Sequence, residues 1–257
     1  MGTAERAWLA GFNVVRVNQR NCGGGDELTH TLYHSGLSCD IRAVLFELIR
    51  KDRLANLFAA GFSMGGNLVL KMAGEFAEGT PREIKGFVAV APALNLAACA
   101  DALAERRNFI YQRHFVRRLK ARIRKKAVLF PETYKLNGLH KIRTVREYDD
   151  ALTAPHSGFH DASDYYARAS ANQFLAKIAR PTMILAAEDD PFVPFITIAS
   201  AANSANPLIE LVATRYGGHC AFISSSREER FWSEARIVEF CERVVKDQSS
   251  AVAHSSI

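Results

Sequence analysis

A serine stands between glycines in residues 61–66, GFSMGG, after a short apolar stretch and before a run of helix-favouring residues. G-x-S-x-G between a strand and a helix is typical of a nucleophile elbow, a turn too sharp for side chains at its flanking glycines, here Gly61 and Gly65. We therefore predict that Ser63 is a nucleophile. The N–H of Met64, at the positive end of the following helix, would stabilise an oxyanion. The alternative is a glycine-rich turn that holds an incidental serine.

A serine hydroxyl becomes a nucleophile when a base takes its proton and an acid orients that base. After an elbow these groups follow in the order serine, acid, histidine. Asp189 and Asp190 follow a later apolar stretch, and His219 follows two glycines that could aim its imidazole. The continuation Pro-Phe-Val-Pro favours Asp190 as the acid, and Asp189 is the alternative. Cys220 is disfavoured as a nucleophile because it lies in a loop and not in an elbow.

The elements that must position these residues alternate between strand and helix patterns. The predicted strands are residues 12–17, 57–61, 84–91, 181–187 and 208–213. The predicted helices are residues 3–10, 38–51, 65–77, 195–202 and 228–245. This alternation predicts an α/β fold with a mostly parallel sheet covered by helices on both faces. The active site of such a sheet lies at the carboxyl ends of its strands.

The alternation stops in the middle of the chain, which predicts a helical insertion into the sheet. We expect a first core segment over residues 1–92, with the elbow, and an inserted helical cap over residues 93–163. A second core segment over residues 164–246 would supply the acid and the histidine. The polar tail, residues 247–257, is expected to be disordered.

The composition fits an enzyme of ordinary globular type, with 257 residues, 48% hydrophobic and 23% charged. No apolar run reaches the ~18 residues of a membrane span, and no signal peptide is recognised. The five cysteines are scattered, which favours a reducing, cytoplasmic location. Two His-x3-His pairs lack the partners of a metal site, so neither a metal nor a cofactor is expected.

One segment makes the protein basic. Residues 106–126 hold ten Lys or Arg and no Asp or Glu, and without them the chain has 23 basic and 27 acidic residues. The segment could attract a membrane surface with anionic headgroups. We favour the alternative, in which the segment is the solvated face of a helix with its apolar side chains turned inward: Phe109, Ile110, Phe115, Val116, Leu119 and Ile123. A nucleic-acid partner is not expected, because no recognisable binding module is present.

Several motifs resemble those of one family, in the family's order. They are NQRNCGGG (18–25), YHSG (33–36), GFSMGGN (61–67), AEDDPFVP (187–194) and GGHCAF (217–222). The chain is similar to the YheT and ABHD1/ABHD3-type branch of the α/β-hydrolases. The resemblance implies the α/β-hydrolase fold and hydrolysis of short- to medium-chain acyl esters or lipids through an acyl-enzyme. It also supports Ser63, Asp190 and His219 as the catalytic residues.

The chain differs from the family pattern at two places, and each difference leads to a prediction. Asn21 stands where the family has glycine, so its loop is expected to form a different turn. No HG-type loop precedes residue 12, so the chain is expected to be truncated relative to the family, with the first strands missing. Loss of the oxyanion donor in that loop would lower kcat by about 10²–10³. The alternative to a serine hydrolase is therefore a catalytically impaired remnant that binds a ligand or partner, or a gene fragment.

Overall fold

Parallel strands form the centre of the structure, a computed structural model that describes residues 2–202, 206–226 and 229–254, with side chains as far as residue 250. The strands are β1 Leu57–Phe62, β2 Ile84–Val90, β3 Thr182–Ala187 and β4 Ile209–Thr214. They are ordered β1-β2-β3-β4, all parallel. β2 and β3 are mostly apolar and almost every residue in them is buried, as expected for central strands of a parallel sheet.

Helices connect the strands and cover the sheet. Their bounds are α1 Gly2–Leu9, α2 Ser38–Arg50, α3 Met64–Phe76, α4 Leu96–Ala104, α5 Phe109–Leu129, α6 Val145–Tyr148, α7 Ala162–Ala169, α8 Phe195–Ala202 and α9 Trp232–His254. α3 packs against β1 and β2, and its central residues are buried. Ile237 and Phe240 of α9 pack against Val88, Val90 and Leu185 of the sheet. The prediction of an α/β fold with a parallel sheet is confirmed.

The predicted strand over residues 12–17 is not a strand in the structure. Parallel strands are stable only when a neighbour pairs their backbone groups, and no described strand pairs with these residues. Val14, Val15 and Val17 are accordingly exposed. Phe12 alone packs inward, with its ring edge-on to Phe58. The β-branched composition of residues 12–17 therefore predicted a strand where the structure has none.

The chain divides into two compact units. The first contains the sheet and is formed by Met1–Arg16, Ser38–Leu94 and Ala171–Ile257. The second is helical and is formed by Val17–Leu37 and Asn95–Ser170. The cap was expected over residues 93–163, so the helical unit differs from that expectation mainly by including residues 17–37.

The last helix differs from the sequence expectation at both ends. It was expected from residue 228, which lies outside the described residues, and it begins at Trp232. It was expected to end near residue 245, with a disordered tail over 247–257, but it continues to His254. The hydroxyls of Ser249 and Ser250 donate to the carbonyls of Val245 and Lys246 one turn earlier. Residues 255–257 lie outside the described residues.

The helical unit has its own core around α5. A buried row along this helix contains Gln112, Val116, Ile123 and Lys126. Its apolar members pack with Leu32, Tyr134 and Tyr148, among others. The Lys126 ammonium group donates to the carbonyls of Asp26 and Thr29, which satisfies its buried charge. This row fixes one side of α5 toward the unit's core, and the other side faces solvent.

Six apolar residues of segment 106–126 were expected to face inward, and this prediction is wrong for three of them. Val116 and Ile123 are buried, whereas Phe109, Ile110 and Phe115 are exposed. With 3.6 residues per turn, Ile110 falls opposite the buried row, and the two phenylalanines fall at its margins. Among the residues described, no helix is both long and apolar enough to cross a membrane.

Asn21 lies in the loop where a turn different from that of the family was expected. Asn21 has a φ of 60°, in the left-handed region where glycine is at ease and asparagine is the best-tolerated other residue. Its side-chain amide donates to the Thr31 carbonyl at 2.7 Å. Because glycine and asparagine both tolerate this φ, the angle by itself gives no reason for a different turn, and the expectation stays a prediction.

Asp149 in the helical unit accepts hydrogen bonds from two side-chain hydroxyl groups. The hydroxyls of Thr153 and Tyr166 each donate to it at 2.7 Å. Burial raises the pKa of Asp149 to about 6, although these hydrogen bonds and the nearby Arg146 lower it. Between about pH 4 and pH 6 the native state therefore keeps a proton on Asp149, whereas the unfolded chain has released it near the ordinary pKa of 3.8.

This difference predicts a pH-dependent stability. The contribution of Asp149 is largest at low pH and is lost as the pH rises from about 4 to about 6. We expect Asp149→Asn to remove about 1 kcal/mol of the stability difference between pH 5 and pH 7.5, measured by urea unfolding at both values. Its exposed neighbour, replaced as Asp150→Asn, is the control. An unchanged pH dependence in Asp149→Asn would contradict the assignment.

Candidate active site

Ser63 lies in the sharp turn between β1 and α3. Its φ of 51° is strained for a residue with a side chain. Backbone bonds hold the turn: Ser63 N–H donates to the Val90 carbonyl at 2.8 Å, and the Ser63 carbonyl accepts from Asn67 and Ala93. The hydroxyl is thus raised at the carboxyl end of β1, as an elbow requires.

Glycines make this turn possible. A Cβ on Gly61 would overlap the carbonyl group of Gly65, so Gly61 cannot be replaced without moving the turn. Gly66 is restricted as well, because its Cβ would lie 3.0 Å from the Pro92 side chain and 3.2 Å from the Gly61 carbonyl. Sequence analysis named Gly61 and Gly65 and missed the constraint at Gly66, which becomes visible only when the segment after β2 is in place.

The residues named from sequence as nucleophile, base and acid form one hydrogen-bonded chain. His219 Nε2 lies 2.8 Å from Ser63 Oγ, and His219 Nδ1 lies 2.8 Å from Asp190 Oδ2. Ser63 and His219 are 156 positions apart in sequence, so the fold alone brings them together. The side chains of His219 and Asp190 are 19% and 3% exposed, which shields their hydrogen bond from water.

The carboxylate of Asp190 is fixed on both oxygens. Its Oδ1 accepts from the backbone N–H of Phe192 and of Val193, at 2.8 and 3.0 Å, and its Oδ2 faces His219. An acceptor at Nδ1 places the imidazole proton there and leaves Nε2 free to accept from the Ser63 hydroxyl. The arrangement can therefore move a proton from Ser63 to His219.

The pKa of His219 reflects this partner. Burial lowers it, but the hydrogen bond with Asp190 and the neighbouring Cys220 thiol outweigh burial and raise the pKa above its ordinary value. The ring of Phe192 stands edge-on to the imidazole, with centroids 4.9 Å apart. Phe192 therefore limits rotation of the ring, a contact that sequence reasoning did not foresee.

Asp189 was the alternative candidate for the acid, but its carboxylate contacts the loop before His219 and not the imidazole. Its Oδ1 accepts from the N–H groups of Gly217 and Gly218 at 2.9 and 2.8 Å. These glycines directly precede His219, so Asp189 fixes the loop that carries the imidazole. The pattern of two adjacent acids and two adjacent glycines is the signal that could have predicted this contact.

We expect Asp189→Ala to lower kcat of ester hydrolysis about tenfold with little change in KM, because loss of two hydrogen bonds loosens His219. Asp189→Asn keeps an acceptor oxygen and should lose much less. Glu188→Ala, at the exposed position just before, is the matched control. Equal kcat values for Asp189→Ala and Glu188→Ala would show that the contact does not position the imidazole.

Cys220, the disfavoured nucleophile, directly follows His219 in the chain, but His219 is not placed to take a proton from its thiol. Its φ is 66°, and its Sγ lies 4.0 Å from the Val90 carbonyl. The His219 nitrogen that could take a proton is already engaged with Ser63 Oγ. The geometry therefore favours Ser63 over Cys220.

Comparison with known proteins shows the family and the fold of the chain. A sequence model of the alpha/beta hydrolase fold family matches residues 4–226. The chain is 34% identical to YheT of Escherichia coli (strain K12), a predicted esterase, over 93% of this chain and 70% of YheT. It is 31% identical to phospholipase ABHD3 of Mus musculus, over 83% of this chain and 52% of that protein. The chain therefore belongs to the α/β-hydrolase fold family, in its YheT/ABHD3-like branch.

Structural similarity supports the same fold. The esterase EaEST from Exiguobacterium antarcticum aligns with a TM-score of 0.53 over 94% of this chain and 85% of that chain, at 16% identity. At this identity the likeness concerns the fold alone. The chain spans about half the length of the ABHD3 phospholipase.

Proposed function

We propose that the protein is a serine hydrolase that cleaves carboxylic esters, either short- to medium-chain acyl esters or lipids, through an acyl-enzyme on Ser63. The observation that carries the proposal is the pair of 2.8 Å contacts that join Ser63 to His219 and His219 to Asp190. The chemistry requires a base within hydrogen-bonding distance of the serine and an acid that orients the base, and the two contacts support both roles.

In the first half of the reaction, His219 Nε2 takes the proton from Ser63 Oγ as the oxygen attacks the ester carbonyl carbon. The N–H of Met64, the first residue of α3, stabilises the oxyanion of the tetrahedral intermediate. His219 then gives its proton to the departing alkoxide, which leaves as an alcohol. Asp190 stabilises the imidazolium between these two transfers.

In the second half, water replaces the alcohol. His219 takes a proton from the water as it attacks the acyl carbon, and the resulting intermediate expels Ser63 Oγ, which regains the proton from His219. The acid is released and the enzyme returns to its starting state. None of these steps needs a metal or an organic cofactor.

The relatives support the substrate class. One is a predicted esterase and the other a phospholipase, and both names describe enzymes that hydrolyse ester bonds. The residues identified so far do not choose an acyl chain or an alcohol, so the proposal covers esters of small alcohols as well as lipids.

Trapping the acyl-enzyme tests the proposal directly. The chain is mixed with p-nitrophenyl butyrate, quenched in acid and digested for mass spectrometry. We expect a butyryl group on the peptide that carries Ser63, in the native chain and in Cys220→Ala. A butyryl group on the Cys220 peptide, or hydrolysis with no acylated peptide at all, would contradict the mechanism.

A further inference from the structure

The first turns of α5 present apolar side chains to solvent. Phe109 is 62% exposed, Ile110 77%, Tyr111 49% and Phe115 39%, and we call these four residues the apolar tip. Apolar side chains exposed singly are common, but these four surround the first turns of one helix, and a cluster of this kind marks an interaction surface. None of them belongs to the hydrogen-bonded chain at Ser63.

Basic residues follow the apolar tip along the solvent side of α5. Arg113, Arg117, Arg118 and Arg124 are exposed. In the described part of the chain, the ion pairs of segment 106–126 with carboxylates involve only Arg107 and Lys125. The charges of the four exposed arginines are therefore not offset by neighbouring acids.

The far end of the helix is apolar again. Val128 is 81% exposed and lies 18 residues after Ile110. Eighteen residues make five full turns, so the two side chains face the same direction about 27 Å apart. Arg117 and Arg124 lie within about 40° of this direction around the helix, so this side of α5 is apolar at both ends and basic between them.

We propose that this side of α5 binds the surface of an anionic lipid bilayer, with the apolar tip inserted among the headgroups and the arginines paired with lipid phosphates. Interfacial helices combine aromatic or aliphatic side chains that enter the headgroup boundary with basic residues that remain at its surface. Each basic residue near such a surface strengthens binding. The proposal goes beyond ester hydrolysis, because none of these residues takes part in the hydrogen bonds that join Ser63, His219 and Asp190.

Other occupants fit the charge pattern less well. In a symmetric dimer formed through this face, the arginine row of one copy would oppose that of the other, and the like charges would repel. A nucleic acid would pair with the arginines but would leave the apolar tip without a role, because phosphate contacts need only basic and polar groups.

The test uses the Ser63→Ala chain, so that no lipid is hydrolysed and the result is independent of the proposed enzyme activity. Binding is measured by co-sedimentation with vesicles of phosphatidylcholine alone and of phosphatidylcholine with 30% phosphatidylglycerol. We expect binding to the anionic vesicles, weakened by 0.5 M NaCl, and little binding to the neutral ones.

Two double variants separate the parts of the surface. Arg117→Gln with Arg118→Gln should weaken binding to anionic vesicles about 30-fold. Phe109→Ser with Ile110→Ser should also weaken it at least tenfold. Arg82→Gln and Ile196→Ser alter residues of similar exposure in the sheet-containing unit and should change nothing. Circular dichroism confirms that each variant is folded.

Insertion of the apolar tip into the bilayer is measured separately, by fluorescence. In Phe109→Trp, brominated lipid in the anionic vesicles should quench fluorescence beyond the change seen with the native tryptophans. Absence of vesicle binding by the folded Ser63→Ala chain would overturn the proposal. So would binding to a DNA duplex that the Phe109→Ser, Ile110→Ser variant retains in full, with no binding to vesicles.

Discussion

Ser63→Ala is expected to lower ester hydrolysis by about 10⁴-fold or more, the largest effect of any substitution in the chain. The variant lacks the atom that forms the acyl-enzyme, whereas the bonds that hold the turn come from the backbone of residue 63 and remain. The melting temperature should therefore stay close to that of the native chain. Rates with p-nitrophenyl esters, measured beside an unfolding curve, check both statements.

The control for this substitution is Ser200→Ala, which removes an exposed hydroxyl from α8. It should leave both rate and stability unchanged. Turnover by Ser63→Ala at the native rate would remove Ser63 from the mechanism, even if the structure of the site is correct.

Asp190→Asn is expected to have the second largest effect, a loss of about 10³- to 10⁴-fold in kcat. Asparagine can present an N–H to His219 Nδ1, which forces the imidazole proton onto Nε2. That nitrogen then cannot accept the proton of Ser63. The bonds from Phe192 and Val193 to Oδ1 can persist, so the fold should be kept.

The pH profile separates this effect from a loss of structure. Native kcat/KM should rise with pH as His219 loses its proton, with a midpoint above the ordinary imidazole pKa of 6.5. In Asp190→Asn the midpoint should move to lower pH, because the carboxylate that favours the imidazolium is gone. A greater loss in Asp189→Asn than in Asp190→Asn would assign the acid to the preceding residue.

The site residues were predictable because each carries a local signal. Ser63 lies in a glycine-bounded turn between strand and helix, and His219 and Asp190 follow later strands in the order that the fold imposes. Parallel strands end at one edge of the sheet, so residues after those ends must meet there. Sequence favoured Asp190 as the acid but could not predict the contact of Asp189, because that depends on which carboxylate faces the backbone of the glycines before His219.

The errors concern features that depend on neighbours distant in sequence. Residues 12–17 have the composition of a strand, but a strand exists only where another strand pairs with it. The apolar residues of α5 have helical spacing, yet only contacts with the rest of the unit decide which side is buried. Phe109 and Ile110 are exposed for that reason, and their exposure supports the lipid surface that the charge of the segment had already suggested.

The most direct test of the central claim is labelling with a fluorescent fluorophosphonate, which reacts only with an activated serine and needs no choice of substrate. The native chain is compared with Ser63→Ala and with a heat-denatured sample. The account predicts labelling of the native chain alone. A folded native chain that remains unlabelled would contradict it, and would favour an impaired α/β-hydrolase that binds a ligand without cleaving it.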